Sequence, residues 1–453
     1  MKTYQDLQAA GDVLEFIRAA ITDYRSGEAF QTACIADDYD AQQNRTIMAY
    51  TKYLYSYTGQ RVIDVYSANN RIASNLFHRL NAQRCSYLLG NGISFSEGTV
   101  KERLGANFDK AVYDLGYHAL IHGISYGFWN LDHLEVFPAT EVCPIWDEYD
   151  GRLRAAIRFW SLDWSNRPVT VEFYEEDGYT VYRTKKGSSG LDLEVYAPKR
   201  GYVQRVQVSA ADGAQVVGQS NYTALPVIPM FGNSRKQSTI VGMRAGIDAY
   251  DLIKSGFAND LQDCAQIYWL ISGNFGMEAD ETQQFMDRLK LQHVANVDGE
   301  NSKITPYTQE IPTAARDGFL TMIRGSIYAD FGALDVSQIS AAAKTATEIN
   351  AAYQPMDEEA DDFEYQVSAF ILQLLALNGI EDAPSYKRNK ITNQYEQTQM
   401  VMLAANYLDS ETVVSKLPFV TVDEIESILK RKDAEDSEKF ALTDAESDEV
   451  MNA

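Results

Sequence analysis

One segment, from Thr239 to Ser272, constrains the fold of this chain more than any other. Its large side chains recur at alternating steps of four and three residues, which places them on one face of an α-helix. These positions are Met243, Ile247, Tyr250, Lys254, Phe257, Leu261, Cys264, Tyr268 and Ile271. No proline interrupts the run, so the spacing predicts one helix about 50 Å long. A helix of that length exceeds the width of a small domain and is typical of a protein assembly.

The opposite face of this predicted helix is acidic. Asp248, Asp251, Asp260 and Asp263 lie off the apolar stripe, and we expect them to face solvent, a channel or a neighbouring subunit. Three glycines in the segment each cost the helix about 1 kcal/mol relative to alanine. Packing against other elements must therefore stabilise it.

The composition is that of a folded, acidic protein. The chain has 453 residues, 45% of them hydrophobic, and a net charge of −24. Because a protein that grips nucleic acid needs a basic surface, this charge excludes a conventional DNA-binding module but not a protein that lets DNA pass. The four cysteines are far apart and predict free thiols in a reducing compartment. The sequence predicts neither a transmembrane helix nor a secretory signal.

The first half of the chain predicts helices followed by a sheet. Residues 1–60 are expected to be helical, and the tyrosines near their end are interpreted as packing at a surface or an interface. Helices are predicted over 66–90 and 107–122, with a short strand, NGISF, between them. From Ile124 to Pro229 the hydrophobic pattern changes to period two, which predicts antiparallel strands. The fold class is therefore α+β.

The second half predicts helices around a small α/β element. That element is expected over residues 273–310, and a second helix over 313–331 should lie antiparallel to the first. A third helix is predicted over 345–379, with a kink at Pro355 and a solvated acidic face over 357–364. The remaining predictions are a strand over 386–393, helices up to residue 432 and an acidic tail over 433–453.

Motifs for catalysis are scarce. The chain has no phosphate-binding glycine loop, no nucleophile elbow and no zinc-protease motif, so it predicts a protein that is not an enzyme and needs no cofactor. His118 and His122 are four residues apart on a predicted helix, with His133 nearby, and this spacing suits a shared metal. However, no glutamate follows His118, as a zinc-hydrolase motif would require. A metal-dependent hydrolase that uses His118 and His122 stays open as an alternative.

Several segments, in order, resemble the portal proteins of tailed bacteriophages, in particular the siphophage type of Gram-positive hosts. The segments that carry the resemblance are NRIASNLFHRLNAQRCSYLLGNGISF, ALIHGISYGFWNLD, FPATEVCPIWDEYDGRLRAAIRFW, LPVIPMFGNSRKQSTIVGMRAGIDAYDLIKSGFANDLQD and YLDSETVVSKLPFVTVDEIESILKR. The chain departs from the family in its short C-terminal crown. It also lacks, over 332–344, the glycine run that some relatives have.

The resemblance implies a portal fold with an α/β wing, long antiparallel stem helices, a small α/β clip, a kinked helix and a helical crown. The implied segments are an N-terminal helical part of the wing (1–60), the wing (61–238), the stem helix (239–272), the clip (273–310), the second stem helix (313–331), the tunnel loop (332–344), the kinked helix (345–379), the return strand and crown (380–432) and the acidic tail (433–453).

The resemblance also implies an assembly and its partners. The chain would form a homododecameric ring at one capsid vertex of the virion, assembled in the host cytoplasm, through which double-stranded DNA is packaged and ejected. The implied partners are the terminase large subunit, the major capsid protein, the scaffolding protein and the head–tail adaptor, with no membrane involved. Another structural protein of the phage head is a further alternative.

Three groups of residues are the predicted sites. The tunnel loop would contact passing DNA weakly through Asp335, Ser337, Gln338, Ser340 and Lys344. The clip would present Arg288, Lys290 and His293 to docking partners. The stem interface between subunits would include Lys254, Phe257 and Leu261, and Lys254 is the one charge on the apolar stripe.

Overall fold

The computed structural model describes residues 1–161 except 57 and 66, then 168–185, 191–209, 213–264, 268–272, 303–307, 311–336, 346–390 and 394–417, with 419–420, 425, 427–432 and 434. Contacts divide the chain into two compact units. The first comprises Met1–Val336 and Tyr353–Arg388, and the second comprises Ser337–Ala352 and Asn389–Ala453.

The elements alternate between helix-rich and strand-rich stretches. The described helices are α1 (Tyr4–Ala9), α2 (Val13–Ser26), α3 (Glu28–Asp40), α4 (Arg45–Met48), α5 (Leu76–Leu89), α6 (Gly98–Arg103), α7 (Phe108–His122), α8 (Ile240–Cys264), α9 (Thr313–Phe331), α10 (Ala346–Leu377), α11 (Gln394–Ala404) and α12 (Ser410–Lys416). The described strands are β1 (Tyr53–Tyr55), β2 (Arg61–Ile63), β3 (Ile93–Ser94), β4 (Ile124–Asn130), β5 (His133–Pro138), β6 (Val142–Trp146), β7 (Leu153–Trp160), β8 (Thr170–Glu175), β9 (Gly178–Thr184), β10 (Leu193–Arg200), β11 (Val203–Ser209), β12 (Gly213–Ser220), β13 (Val227–Phe231), β14 (Tyr268–Ser272), β15 (Lys303–Tyr307) and β16 (Ser385–Tyr386).

A five-stranded antiparallel sheet lies within the segment predicted as the wing. Its strand order is β10-β9-β8-β7-β6, so neighbours in sequence are neighbours in space. Helix α2 covers one face of this sheet, and Asp12 caps the helix by accepting the Leu14 N–H at 2.8 Å. The buried side chains at this contact are mainly apolar and include Ile17 and Ile21 of the helix and Ile157 of the sheet.

A second core lies between a three-stranded sheet and the helices around it. The sheet has the order β13-β4-β5, and helices α5, α7 and α10 pack on it. Helix α10 contributes Phe363, Val367, Phe370 and Leu374, all of which are buried. Their spacing of four, three and four residues places them on one side of the helix, and that side packs in this core.

The long helix is shorter than its stripe predicts, so the expectation of one helix over 239–272 is wrong. Helix α8 ends at Cys264, and Tyr268–Ser272 instead forms β14, which pairs antiparallel with β15. A short apolar run fits both helix and strand spacing, and here the ladder from Tyr268↔Tyr307 to Ser272↔Lys303 supplies the backbone hydrogen bonds. Strand β14 ends where the segment predicted as the clip (273–310) begins, and β15 lies inside that segment.

Two predicted helices in the N-terminal half also need correction. Residues 1–60 are helical only as far as Met48, and β1 and β2 then form a hairpin across the predicted boundary at 60/61. Aromatic and β-branched residues around Gly59, whose φ is +80°, favour that hairpin. The helix predicted over 66–90 begins only at Leu76.

Other predicted helices are confirmed. The helix predicted over 313–331 spans Thr313–Phe331, and the helix predicted over 345–379 spans Ala346–Leu377 with Pro355 inside it. The strand predicted over 386–393 is wrong in its bounds, because the observed strand is Ser385–Tyr386, which pairs antiparallel with Ile93–Ser94. In the second unit, Asp409 caps α12 by accepting the Thr412 N–H at 2.9 Å.

Candidate functional site

Helices α8 and α9 form an antiparallel pair. Near the end of α8, Asp260 forms an ion pair with Arg316 at the start of α9. Near the start of α8, Gly246 lies against Ile327 close to the end of α9, where a Cβ on the glycine would be 3.1 Å from Ile327 Cγ1. The start of each helix therefore meets the end of the other, as the sequence predicts.

The predicted interface residues lie at the C-terminal end of α8. The Lys254 ammonium is 5.8 Å from the centre of the Tyr250 ring, and the Arg316 guanidinium is 5.8 Å from the Phe257 ring. Leu261 is 52% exposed, although it belongs to the apolar stripe. Lys254 and Phe257 are half-buried within this chain, so part of the stripe stays available to a neighbour.

The remaining face of α8 is polar and binds an extended segment of the chain. Asp251, Ser255 and Asn259 are all buried on this face. The Ser74 N–H donates to Asp251 and the Ile72 N–H donates to Ser255, each at 2.9 Å. The Asn70 N–H donates to Asn259, and the Asn70 amide donates to Gln262 at 2.9 Å. Asn70, Ile72 and Ser74, which are every second residue of the segment, thus hydrogen-bond to successive turns of α8.

This polar contact overturns the prediction of a solvent-facing or channel-facing acidic side at Asp251. The Asp251 carboxylate is fully buried and also accepts from the Asn44 side chain. Burial raises the pKa of Asp251, while its hydrogen bonds and the Lys254 charge act in the opposite direction. Asp248 is likewise engaged, by Tyr39 and by Thr46 Oγ1, the latter at 2.8 Å. The signal that could have revealed this face is the spacing of four, four and three residues from Asp251 to Gln262.

The first residues of the predicted tunnel loop, 332–335, are held firmly. Gly332 ends α9 with a φ of +66°, which favours glycine. The Gln83 side chain donates to the Leu334 carbonyl at 2.9 Å and accepts the Leu334 N–H at 3.2 Å. Asp335, a predicted DNA-channel residue, lies 3.3 Å from Arg324 of α9. Its carboxylate is therefore paired with this chain's own arginine.

Arg84 ties this loop origin to two helices. Only 7% of Arg84 is exposed, and its guanidinium donates to the Phe331 carbonyl at the end of α9. The same group pairs with Glu359 of α10 at 3.0 Å and lies 4.0 Å from the Phe331 ring centre. Burial lowers the pKa of Arg84, and the Glu359 charge opposes that effect.

The acidic run over 357–364 is bound by arginines and backbone rather than simply solvated, so that prediction is corrected. Arg388 pairs with Asp357 at 3.0 Å, with Glu364 at 3.1 Å and with Asp361. Such a fork of hydrogen bonds is typical of guanidinium binding to carboxylates. The run therefore fixes the chain after α10 to the helix itself.

The histidines that suit a hydrolase are occupied by structural contacts. His122 Nε2 lies 2.6 Å from Asp37 of α3, and the His118 ring stacks on His122 with centroids 5.5 Å apart. Burial and the neighbouring His122 lower the pKa of His118. His133 pairs with Asp132 on an exposed turn. Among the residues that the structure describes, no three metal-binding side chains are grouped to hold an ion. The geometry thus gives the hydrolase alternative no support.

Several predicted site residues lie outside the described residues. These are the clip residues Arg288, Lys290 and His293 and the tunnel-loop residues Ser337, Gln338, Ser340 and Lys344. Within the described part of the chain, no helix has both the length and the apolar character to cross a membrane.

Comparison with known proteins gives consistent matches over most of the chain. A family profile described as "Phage portal protein, SPP1 Gp6-like" matches residues 36–438. The portal protein of Clostridium phage phiCD119 is 22% identical over 398 residues, which cover 80% of this chain and 84% of the relative. The portal protein of Bacillus phage SPP1 is 23% identical over 405 residues, which cover 81% of this chain and 76% of the relative. A solved neck of an empty GTA particle aligns over 76% of this chain and 90% of its own at 11% identity, with a TM-score of 0.45.

Proposed function

The chain belongs to the phage portal proteins of the SPP1 Gp6-like family, and from this premise we propose that it forms a ring of about twelve subunits at one vertex of the capsid. DNA would enter and leave the virion through the centre of that ring. Portal proteins are structural components, and the hydrolysis of ATP during packaging would belong to the terminase. The observation that carries the proposal is the family match, which extends over residues 36–438.

The surface of the stem helices supports a ring. Helices α8 and α9 cover each other along one side only, and several large apolar side chains on them stay more than a third exposed. These are Val241, Leu252 and Leu261 on α8 and Phe319 and Met322 on α9. Exposed apolar residues in this number are typical of an interface between subunits. We propose that Lys254, Phe257 and Leu261 contact the stem of the next subunit.

The charge of the chain supports passage of DNA without tight binding. A net charge of −24 per subunit repels phosphates, so DNA that moves through the ring is not held there. We propose that residues 332–344 line the narrowest part of the channel. Ser337, Gln338, Ser340 and Lys344 would make the transient contacts. Asp335 would stand at the origin of the loop, paired with Arg324.

The clip is the proposed docking site for partners. Strand β14 precedes it and β15 lies within it, and the residues between the two strands include Arg288, Lys290 and His293. We propose that the terminase large subunit docks there during packaging and the head–tail adaptor afterwards. The scaffolding protein and the major capsid protein would contact the wing.

Electron microscopy of the purified full-length protein tests the ring directly. The expected result is ring-shaped particles of about twelve subunits with a central channel. Native mass spectrometry of the same sample would give the number of subunits. A protein that stays monomeric or dimeric at every salt and protein concentration would overturn the proposal.

A further inference from the structure

The hairpin of β1 and β2 leaves both of its faces uncovered. Tyr53 pairs with Ile63 and Tyr55 with Arg61 on one face, and Leu54 pairs with Val62 on the other. All six residues are exposed, Tyr55 to 71%, and Val65 just beyond the hairpin is 76% exposed. Because side chains alternate along a strand, an uncovered apolar residue on each face means that this chain's own core shields neither side.

A hairpin of this kind is poorly stable by itself. Two isolated strands are marginal in water, and independent stability needs a third strand or a packed surface. Within this chain the hairpin gains the Arg61 guanidinium, which lies 3.5 Å from the Tyr53 ring centre. That contact is solvent-exposed, and such a contact adds little stability. The described part of this chain therefore covers neither apolar face, and we look for the covering surface in another molecule.

The base of the hairpin is fixed to the stem. Lys52 Nζ donates to the Ala68 carbonyl at 2.6 Å, and Arg71 donates to the Met48 carbonyl at 2.8 Å, which closes the two ends of the hairpin together. The chain that leaves the hairpin then binds α8 through Asn70 and Asn259. The uncovered faces are thus continuous with the helix that carries the proposed subunit interface.

The charge of this region points to an acidic partner. No aspartate or glutamate occurs from Ala41 to Ile63, although Asp and Glu account for 64 of the 453 residues of the chain. The same stretch carries Arg45, which pairs with Asp38, as well as Lys52 and the exposed Arg61. A second copy of this chain, with a net charge of −24, offers the opposite charge.

We propose that the β1–β2 hairpin is an arm that packs onto the neighbouring copy of this chain in the ring. The proposal rests on the proposed function, because a closed ring joins unlike surfaces of identical subunits. In such a ring every subunit gives one arm and receives one. The acceptor surface buries both apolar faces of the hairpin against the next subunit and offers acidic side chains to the exposed Arg61.

Site-specific photo-crosslinking in the purified full-length protein tests the arm. A photoreactive phenylalanine analogue replaces Tyr55 in one sample and Tyr149 in the other, and Tyr149 is a control that is 89% exposed on the wing. Irradiation should give a ladder of covalent multimers from the Tyr55 sample and only monomers from the Tyr149 sample. Rings are counted in both samples by electron microscopy before irradiation.

The possible outcomes distinguish a failure of the arm proposal from a failure of the proposed ring. Rings without cross-links at position 55 overturn the arm and leave the proposed function intact. An absence of rings in unmodified protein overturns the proposed function instead. Cross-links that appear only after DNA is added would assign the hairpin to nucleic acid and so also overturn the proposal.

A second experiment compares the assembly of two variants in which an exposed residue is replaced by aspartate. Leu54→Asp places a carboxylate on an uncovered face, and Tyr149→Asp adds the same charge at the control position. We expect Leu54→Asp to raise the concentration at which half the subunits are assembled by about tenfold, since interface anchors typically contribute this much. Equal assembly of the two variants, measured by mass photometry, would contradict the arm.

Discussion

The guanidinium of Arg84 lies 3.0 Å from the carboxylate of Glu359, and it also donates to the carbonyl of Phe331. One buried side chain on α5 therefore connects the end of α9 with α10. The three elements meet where the predicted tunnel loop begins. The loop that we propose to line the DNA channel thus originates from a point fixed by α5 and α10.

We predict that Arg84→Met lowers the stability of the protein. Methionine keeps much of the volume but leaves the buried Phe331 carbonyl without its donor, so the free energy of unfolding should fall by about 2 kcal/mol. Urea unfolding followed by circular dichroism measures the change. Arg152→Met is the control, since Arg152 is a largely exposed residue whose ion pair with Asp150 spans 3.9 Å. Equal shifts for both variants would show that Arg84 has no special role.

We predict that Ser255→Ala weakens the attachment of residues 70–74 to α8. The Ile72 N–H would lose its acceptor in a buried place, which costs about 1–3 kcal/mol. Ser326→Ala is the matched control, because the exposed Ser326 hydroxyl only donates to Met322 of its own helix. Hydrogen exchange at residues 70–74 should accelerate in the first variant alone. Unchanged exchange there would refute the structural role of Ser255.

Replacing Asp251 or Asp382 by asparagine should change the pH dependence of the protein's stability in opposite directions. The pKa of Asp251 is raised by burial, so the folded state binds its proton more tightly and this group's contribution to stability falls as pH rises above about 4. The pKa of Asp382 is lowered, first by the Glu97 N–H, so its contribution is lost as pH falls through that lowered pKa.

Thermal unfolding from about pH 3 to pH 7 checks both signs. Relative to the unmodified protein, Asp251→Asn should become more stable as pH rises, because the unmodified protein loses stability in that range. Asp382→Asn should become less stable over the same rise. Parallel curves for the two variants would contradict the assignment.

We predict that deletion of residues 338–343 leaves ring assembly unchanged but impairs DNA packaging or retention. The deletion spares Leu334 and Asp335, whose contacts with Gln83 and Arg324 hold the loop origin. Electron microscopy of the purified variant tests assembly, and the DNA content of virions that carry it tests the loop. Full DNA content in those virions would show that the loop has no role in the channel.

Regular spacing made several elements predictable from the sequence. The helix over 313–331 and the core positions Phe363 to Leu374 follow from helical periodicity, and the wing strands follow from alternation. The antiparallel relation of α8 and α9 also followed, because a long apolar stripe needs a partner of similar length. These features depend on local pattern and burial of apolar area, both of which the sequence records directly.

Contacts between distant polar residues were not predictable in the same way. Residues 70–74 have helical neighbours in sequence, yet they are extended because α8 offers acceptors at Asp251, Ser255 and Asn259. The acidic run before Glu364 resembles a solvated face until Arg388 is brought against it by the fold. In both cases the partner lies far away in sequence, so no local signal identifies it.

Helix α9 is joined to its surroundings at both ends, by Arg316 to Asp260 at the start and through the Phe331 carbonyl to Arg84 at the finish. Between these two contacts the helix is about 22 Å long, and its backbone hydrogen bonds resist shortening along the axis. The helix therefore keeps a fixed distance between these two contacts. An axial shift of its first turn, beside the predicted clip, is therefore transmitted along the helix to Gly332. The two ends of the helix are expected to move together.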